Sequence, residues 1–252
     1  MSSSRDVKAK IRKMVWDLLE EKNVAIFPRP VHGRIPNFIG AEEAALRLSA
    51  LEVFSKARIV EVSPDSPQKH VRYLALRSGK VVIMPTPRLR EGFLVLDPSR
   101  IPVQHIKSAS TIRGAFTWGI KVSPTRIPKI DLIVTGSVAV NDRGCRLGKG
   151  GGYSDLEFAI LKELNKVSDD TVIATTVHDL QVVNLDIPRD LWDVSVDLIV
   201  TPSKVIRCKD RFRPRGILWE YVSSNLLNEV PILKELLNLS LIHISEPTRP
   251  RL

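Results

Sequence analysis

The residues most able to do chemistry lie in the stretch Asn141–Asp155, where Gly148, Gly150, Gly151 and Gly152 fall within five positions around Lys149. Glycines let a backbone approach a ligand closely, at an entropic cost. The chemistry this suits is anion binding. Free N–H groups at a helix start attract negative charge, and Arg143, Arg146 and Lys149 add positive charge around them. The same residues also fit a glycine-rich turn whose basic side chains face water. Two phosphate motifs are excluded. A Walker loop needs four residues between its first glycine and Gly-Lys-[Ser/Thr]; Gly144 to Gly148 leaves three, and Gly150 stands where the hydroxyl belongs. A dinucleotide fingerprint starting at Gly148 needs glycine at position 153, which is Tyr153.

The elements around this stretch must position it. An apolar run precedes it (Leu132–Val134, Val138–Val140), and Leu156, Ile160 and Leu164 recur at helical spacing after it. Ser154 and Glu157 have capping-box spacing, so a helix is expected to start there. Elsewhere, helices are expected over residues 5–22, 41–54, 67–77 and 103–110. Strands are expected over 24–27, 57–62, 80–84, 171–177 and 198–201. The segment Pro28–Pro36 must be a loop. A closing helix over Asn225–Leu237 should break at Pro231. Alternation of strands and helices predicts an α/β fold: a three-layer, Rossmann-like open sheet, mostly parallel, with helices on both faces.

Other charged side chains have two readings each. Lys8 and Arg12 are four apart and share a helix face, either solvated or turned to a ligand. Arg88 and Arg90 follow a strand end, where open α/β sheets bind ligands. Arg207, Lys209, Arg211, Arg213 and Arg215 occupy every second position, so an extended chain would point them one way. That is a phosphate ribbon or, more in keeping with the absence of interleaved aromatics, a charged edge that discourages strand pairing. His32 reads as a loop histidine and His178 as a packed strand end.

The chain has 252 residues, 43% hydrophobic, which suits one sizeable core. Its formal charge of +10 favours anionic partners without choosing among them. Two cysteines, Cys145 and Cys208, form no Cys-x-x-Cys pair and suit a reducing compartment. With no apolar run of spanning length and no signal-peptide pattern, a cytoplasmic location is expected. There is no His-Glu-x-x-His and no Gly-x-Ser-x-Gly.

Arg146–Asp155 (Arg-Leu-Gly-Lys-Gly-Gly-Gly-Tyr-Ser-Asp) resembles the Arg-Leu-Gly-x-Gly-x-Gly-Tyr-Tyr-Asp signature of the 5-formyltetrahydrofolate cyclo-ligase family. The resemblance extends over nearly all of residues 5–237 and is strongest to a divergent branch, the methenyltetrahydrofolate synthetase domain-containing proteins. It implies a cyclo-ligase-like domain over residues 1–239. Residues 240–252 look unlike the rest and are expected to be a non-native or disordered tail that replaces the natural C-terminal region. It implies ATP and magnesium as cofactors. Phosphates would meet Lys8, Arg12, Arg146, Gly148, Lys149, Gly150, Gly151 and Gly152. Tyr153 and Trp118 would line the substrate pocket, and Asp155 and Asp197 would hold the metal. Partners implied are a nucleotide, a folate, and RNA through a missing C-terminal module or the basic surface. Two residues depart from the family pattern. Ser123 precedes Pro124 where a glutamate is usual, and Ser154 stands for a second tyrosine. These departures favour a divergent, non-catalytic relative that keeps the nucleotide loop; the alternative is an active ligase forming 5,10-methenyltetrahydrofolate.

Overall fold

The computed structural model describes residues 3–245, with side chains through residue 238. One eight-stranded sheet organises it. Five strands are parallel: β1 (Ile59–Val62), β2 (Val81–Pro85), β5 (Leu132–Thr135), β8 (Val172–Thr176) and β9 (Leu198–Val200). Three antiparallel strands finish the edges: β3 (Phe93–Leu96) and β4 (Ile120–Val122) beyond β2, and β10 (Val205–Arg207) beyond β9. The order is β10-β9-β8-β5-β1-β2-β3-β4. The strand order reverses between β1 and β5, because β2 lies on one side of β1 and β5, β8 and β9 follow on the other. In open α/β sheets this switch point, at the carboxyl ends of the strands, is where ligands bind.

β5 shows why the sheet is central. Its four residues, Leu-Ile-Val-Thr, are all buried, as expected for a strand covered on both faces. Side chains alternate between two cores. Val60, Val62, Leu132 and Val134 join α2 (Ala41–Ser49), α3 (Glu52–Lys56), α4 (Lys69–Arg77), α5 (Ile106–Ala109) and α6 (Ile112–Trp118) on one face. Ile133, Ile173 and Ile199 join α7 (Tyr153–Glu163) and α9 (Pro231–Ser245) on the other. Full burial of one such side chain contributes about 1.5–3 kcal/mol. Glu61 lies between Val60 and Val62 and is buried too, so the alternation turns a carboxylate onto the α7 face.

Three local expectations fail, each with a physical cause. Residues 24–27 make a single bridge, Ala25 to Phe38, because Pro28 and Pro30 stop the ladder. The glycine stretch is preceded by a short ribbon, β6 (Ala139–Val140) against β7 (Arg146–Leu147), and not directly by a sheet strand. Gly144, at φ +86°, makes the turn; a Cβ there would lie 2.3 Å from the Val196 carbonyl oxygen. The expected capping box at Ser154 and Glu157 does not form. α7 starts at Tyr153 with Gly152 as its N-cap and no side-chain cap bond, because Glu157 is turned inward and buried. The closing helix breaks at Pro231 as expected, into α8 (Ser224–Glu229) and α9. α9 runs on to Ser245, so residues 240–245 are helical, and residues 246–252 lie outside the described residues.

Candidate functional site

The glycine loop, residues 148–152, lies at the switch point. Lys149 Nζ is 3.4 Å from Asp65 Oδ1, and Asp65 is three residues beyond the end of β1. Gly150 (φ +106°) and Gly152 (φ +69°) hold left-handed conformations that side-chain-bearing residues rarely adopt. The loop then feeds α7, whose first N–H groups lack a side-chain cap. Uncapped N–H groups at a helix start attract negative charge.

α1 (Ser4–Glu21) supplies the second wall. Its capping box is formed by Ser3 and Asp6, and its buried stripe, Ile11, Val15 and Leu19, packs on the β6–β7 ribbon cluster. That seating brings Arg12 over the loop. Arg12 Nε donates to the Gly148 carbonyl at 2.7 Å, and its guanidinium carbon would lie 3.7 Å from a Cβ at Gly150. The terminal nitrogens of Arg12 donate no hydrogen bond among the described residues. Burial lowers its pKa, while Asp193 and Asp155 pull the other way.

Lys8 is placed differently from a free phosphate ligand. It is buried and donates to Asp190 (2.6 Å) and Asp193 (2.5 Å). Burial opposes its charge, yet the hydrogen bonds to these carboxylates outweigh it and raise its pKa. Lys8 therefore fixes the segment 190–193 beside the loop.

Behind the loop, Arg146 points inward from β7. It donates to Asp155 at 2.8 Å, and its Nε is buried without a partner. Glu61, Ser154 and Glu157 line the same small void. Burial pushes the Glu61 carboxyl up to about 8, with Arg146 opposing. Burial, then the charge of Glu61, raises Glu157 well above the usual carboxylate range. Burial also raises Asp155, opposed by Arg146 and reinforced by Asp193. Arg146 thus acts on Glu61, Glu157 and Asp155, and Lys8 and Arg12 act on Asp155 as well.

The predicted metal pair is not brought together. Asp197 stands at the amino ends of β8 and β9, the opposite edge of the sheet from the loop. There it accepts from Ile173 N (2.8 Å), Arg211 (2.8 Å) and Arg213 (2.6 Å). The carboxylate that does face Asp155 is Asp193. Spacing alone could not separate Asp193 from Asp197, because both precede the same strand. The signal for Glu61 was available: an acid inside the apolar run Ile-Val-Glu-Val.

The two pocket candidates also part. Tyr153 packs on the α7 face, and its hydroxyl donates to Glu229 at 2.6 Å. Trp118 packs against the opposite core and stacks on His105 with ring centroids 4.7 Å apart. Arg88 and Arg90, in the loop after β2, lie near enough to Tyr153 to act on its charge. Ser123 follows β4 at the same carboxyl-end level, since Pro85, Phe93 and Val122 are in register; it is exposed and bonds Thr125. His178 is a turn cap, accepting from Leu180 N. The alternating basic run does not form an open ribbon. Lys209 pairs with Asp142, and Arg211 and Arg213 with Asp197.

A mixed, mostly parallel sheet with a glycine loop, an uncapped helix start and an arginine at its switch point defines an open α/β domain with helices on both faces. The sequence profile of the 5-formyltetrahydrofolate cyclo-ligase family matches residues 4–202, and the chain belongs to that family. It is 43% identical over 235 residues to a methenyltetrahydrofolate synthase domain-containing protein of Bos taurus and 41% identical over 236 residues to that of Homo sapiens. Each alignment takes in 91% of this chain and 61% of the relative, so the chain spans about three-fifths of the length of these curated relatives. Residues 1–202 cannot supply such coverage alone; the likeness runs into the segment after Pro202. The solution structure of a 5,10-methenyltetrahydrofolate synthetase from Aquifex aeolicus shares the fold, with a TM-score of 0.52 at 24% identity over 81% of this chain and 94% of that one. No helix among the described residues is long and apolar enough to cross a membrane.

Proposed function

We propose that this domain binds the polyphosphate of a nucleoside triphosphate, with magnesium, and has diverged from cyclo-ligase turnover. The observation that carries the reading is Arg12 poised over Gly150 with its terminal nitrogens unspent. Backbone N–H groups of the loop and α7 would receive phosphate oxygens, and Arg12 would add charge-assisted bonds. Lys149 could exchange Asp65 for a phosphate.

The acids suit a hard cation. Among the described residues no three His, Cys, Asp or Glu side chains are grouped to hold a metal. Magnesium, however, usually takes one or two carboxylates and completes its shell with phosphate oxygens and water. Asp155 and Asp193 repel each other across the site, and each keeps one oxygen, Oδ2 of Asp155 and Oδ1 of Asp193, outside any hydrogen bond among the described residues. When bound, magnesium would neutralise phosphate charge; Asp155 and Asp193 would hold it, and Lys8 would keep Asp193 in place.

On the folate side, two groups that resemblance ties to the substrate are changed: Ser123 and Ser154 carry neither acid nor ring. Tyr153 is tethered to Glu229. Binding of the two substrates should therefore uncouple. Titration calorimetry with magnesium–ATP and with 5-formyltetrahydrofolate, separately, tests this. Heat from the first and none from the second is expected, with little 5,10-methenyltetrahydrofolate absorbance at saturating ATP. Robust product would overturn the divergence and establish an active ligase.

A further inference from the structure

The edge of the sheet opposite the glycine loop carries an open groove of about 700 Å³. It lies where α4 ends and the chain leaves β3. Gly79 and Asp97 line it, and Val82 pairs with Leu96 at the amino end of β2. The floor is apolar: Leu76, Ile101 and Ile106 are buried side chains of the α2–α6 core that reach the groove. Val103 stands at the rim and is 87% exposed. The rim is also basic. Arg77 and Lys107 are exposed, and neither forms an ion pair among the described residues. Arg77 spends one N–H on the Tyr73 hydroxyl at 3.1 Å; the Lys107 ammonium donates no hydrogen bond among the described residues. The acid in the lining, Asp97, is already occupied, accepting from Ser99 N at 3.0 Å and Ser99 Oγ at 2.7 Å. The end of α4 does not offset the basic rim with open carbonyls, because those of Leu74, Ala75 and Leu76 accept from Ser78, Lys80 and Gly79 N–H groups.

We propose that this groove docks an acidic segment of a partner protein, with its apolar side chains on the floor and its carboxylates on Arg77 and Lys107. The inference does not depend on the phosphate reading, since the two sites lie at opposite edges of the sheet. Three observations select the occupant. Unpaired cations on both sides of an apolar floor are complementary to a chain that alternates apolar side chains with acids. Val103 projects into water, so a partner that covers it must have a surface of its own, as a folded or folding chain does. No buried polar side chain points into the floor to fix the orientation of a small molecule. Nucleic acid is a poor match, because its affinity comes from many phosphate contacts and this rim offers two cations around an apolar centre. Docking here would leave the glycine loop open, so partner and anion can be held together.

The experiment selects peptides from a displayed random-peptide library on the full chain, with counter-selection against the double variant Arg77→Glu, Lys107→Glu. Selected peptides are then synthesised and their affinities measured by fluorescence anisotropy. All substituted side chains are exposed, and melting curves report that the variants fold. The selected sequences should combine Asp or Glu with Leu or Phe. The double variant should bind them at least about tenfold more weakly, through two lost charge pairs and new repulsion. Val103→Ser should cost about three- to tenfold through lost apolar burial. Replacing the acids of a selected peptide by Lys should reverse its preference, so that it binds the double variant more tightly than the wild type. Affinity of the original peptide should fall as salt is raised. Peptides without an excess of acids, unchanged affinity in either variant, or no selected peptide at all would overturn the proposal. Sedimentation of the wild type, and not the double variant, with vesicles of equimolar phosphatidylserine and phosphatidylcholine would overturn it in favour of a membrane surface.

Discussion

The molecule builds nearly the same acid–arginine pair twice, at opposite edges of one sheet, and uses them differently. At the amino edge, Asp197 meets Arg213 at 2.6 Å; at the carboxyl edge, Asp155 meets Arg146 at 2.8 Å. Both arginines are almost fully buried, with side chains 4% and 3% exposed. Around Asp197 both carboxylate oxygens are met, because Arg211 and a backbone N–H complete its shell, and Arg213 Nε alone is left without a partner. Around Asp155 more is left over: Arg146 Nε likewise has no partner, and in addition Asp193 repels Asp155 and Arg12 has nitrogens to spare. A saturated pair holds a fold together. A pair with surplus charge of both signs, beside a glycine loop, is ready for a ligand.

The largest effect should come from removing the cation at the unsaturated edge. Arg146→Ala strands Glu61, Glu157 and Asp155 in a buried space. Breaking a buried pair from one side costs about 3–5 kcal/mol, so the chain should unfold at much lower urea. An unchanged midpoint would mean these acids are solvated.

Next comes the exchange of the two aspartates. Asp197→Ala removes the partner of Arg213 and should lower stability by about 3 kcal/mol, while magnesium–ATP affinity stays within twofold. Asp193→Ala should cost affinity at least tenfold and release Lys8. The reverse pattern would restore Asp197 as the metal ligand and undo the contrast between the edges.

This swap shows where the sequence stops being legible. The sheet, its helices and the glycine loop could be read in advance, because apolar periodicity and clustered glycines are local signals. Arg12 is nominated by the family resemblance; its helix-face spacing from Lys8 alone reads as a solvated flank. Which aspartate faces the loop was not legible. It depends on the chain after Arg207 folding back to hand Asp197 its two arginines. Nor could spacing show that Glu157 would turn inward to meet Glu61 instead of capping α7. That follows from the register of β1, where Val60 and Val62 face one core and Glu61 the other.

A smaller effect concerns pH. Glu61 is held at about 8 against an ordinary 4.5, chiefly by burial. An acid raised on folding gives its full stabilisation below pH 4.5 and loses it progressively as pH rises to about 8. The wild type should therefore lose melting temperature over this window from Glu61, and Glu61→Gln should flatten the decline. Parallel profiles for the two would mean the carboxylate is ionised in the fold.

The smallest effect is at the join between the loop and the C-terminal segment. Tyr153→Phe deletes one partly exposed hydrogen bond to Glu229, worth about 0.5–1.5 kcal/mol. Hydrogen exchange should quicken in α8 and not in β8 or β9. Uniform quickening would show that α8 opens only with the whole domain.

The central claim is that the glycine loop is a phosphate site and not a turn. Calorimetric titration of magnesium–ATP into the wild type and Gly150→Val tests it most directly. Valine at φ +106° forces the loop from its left-handed path beneath Arg12. The account predicts saturable binding by the wild type and none by the variant, with melting temperatures within a few degrees of each other. Equal affinity in both proteins would contradict it.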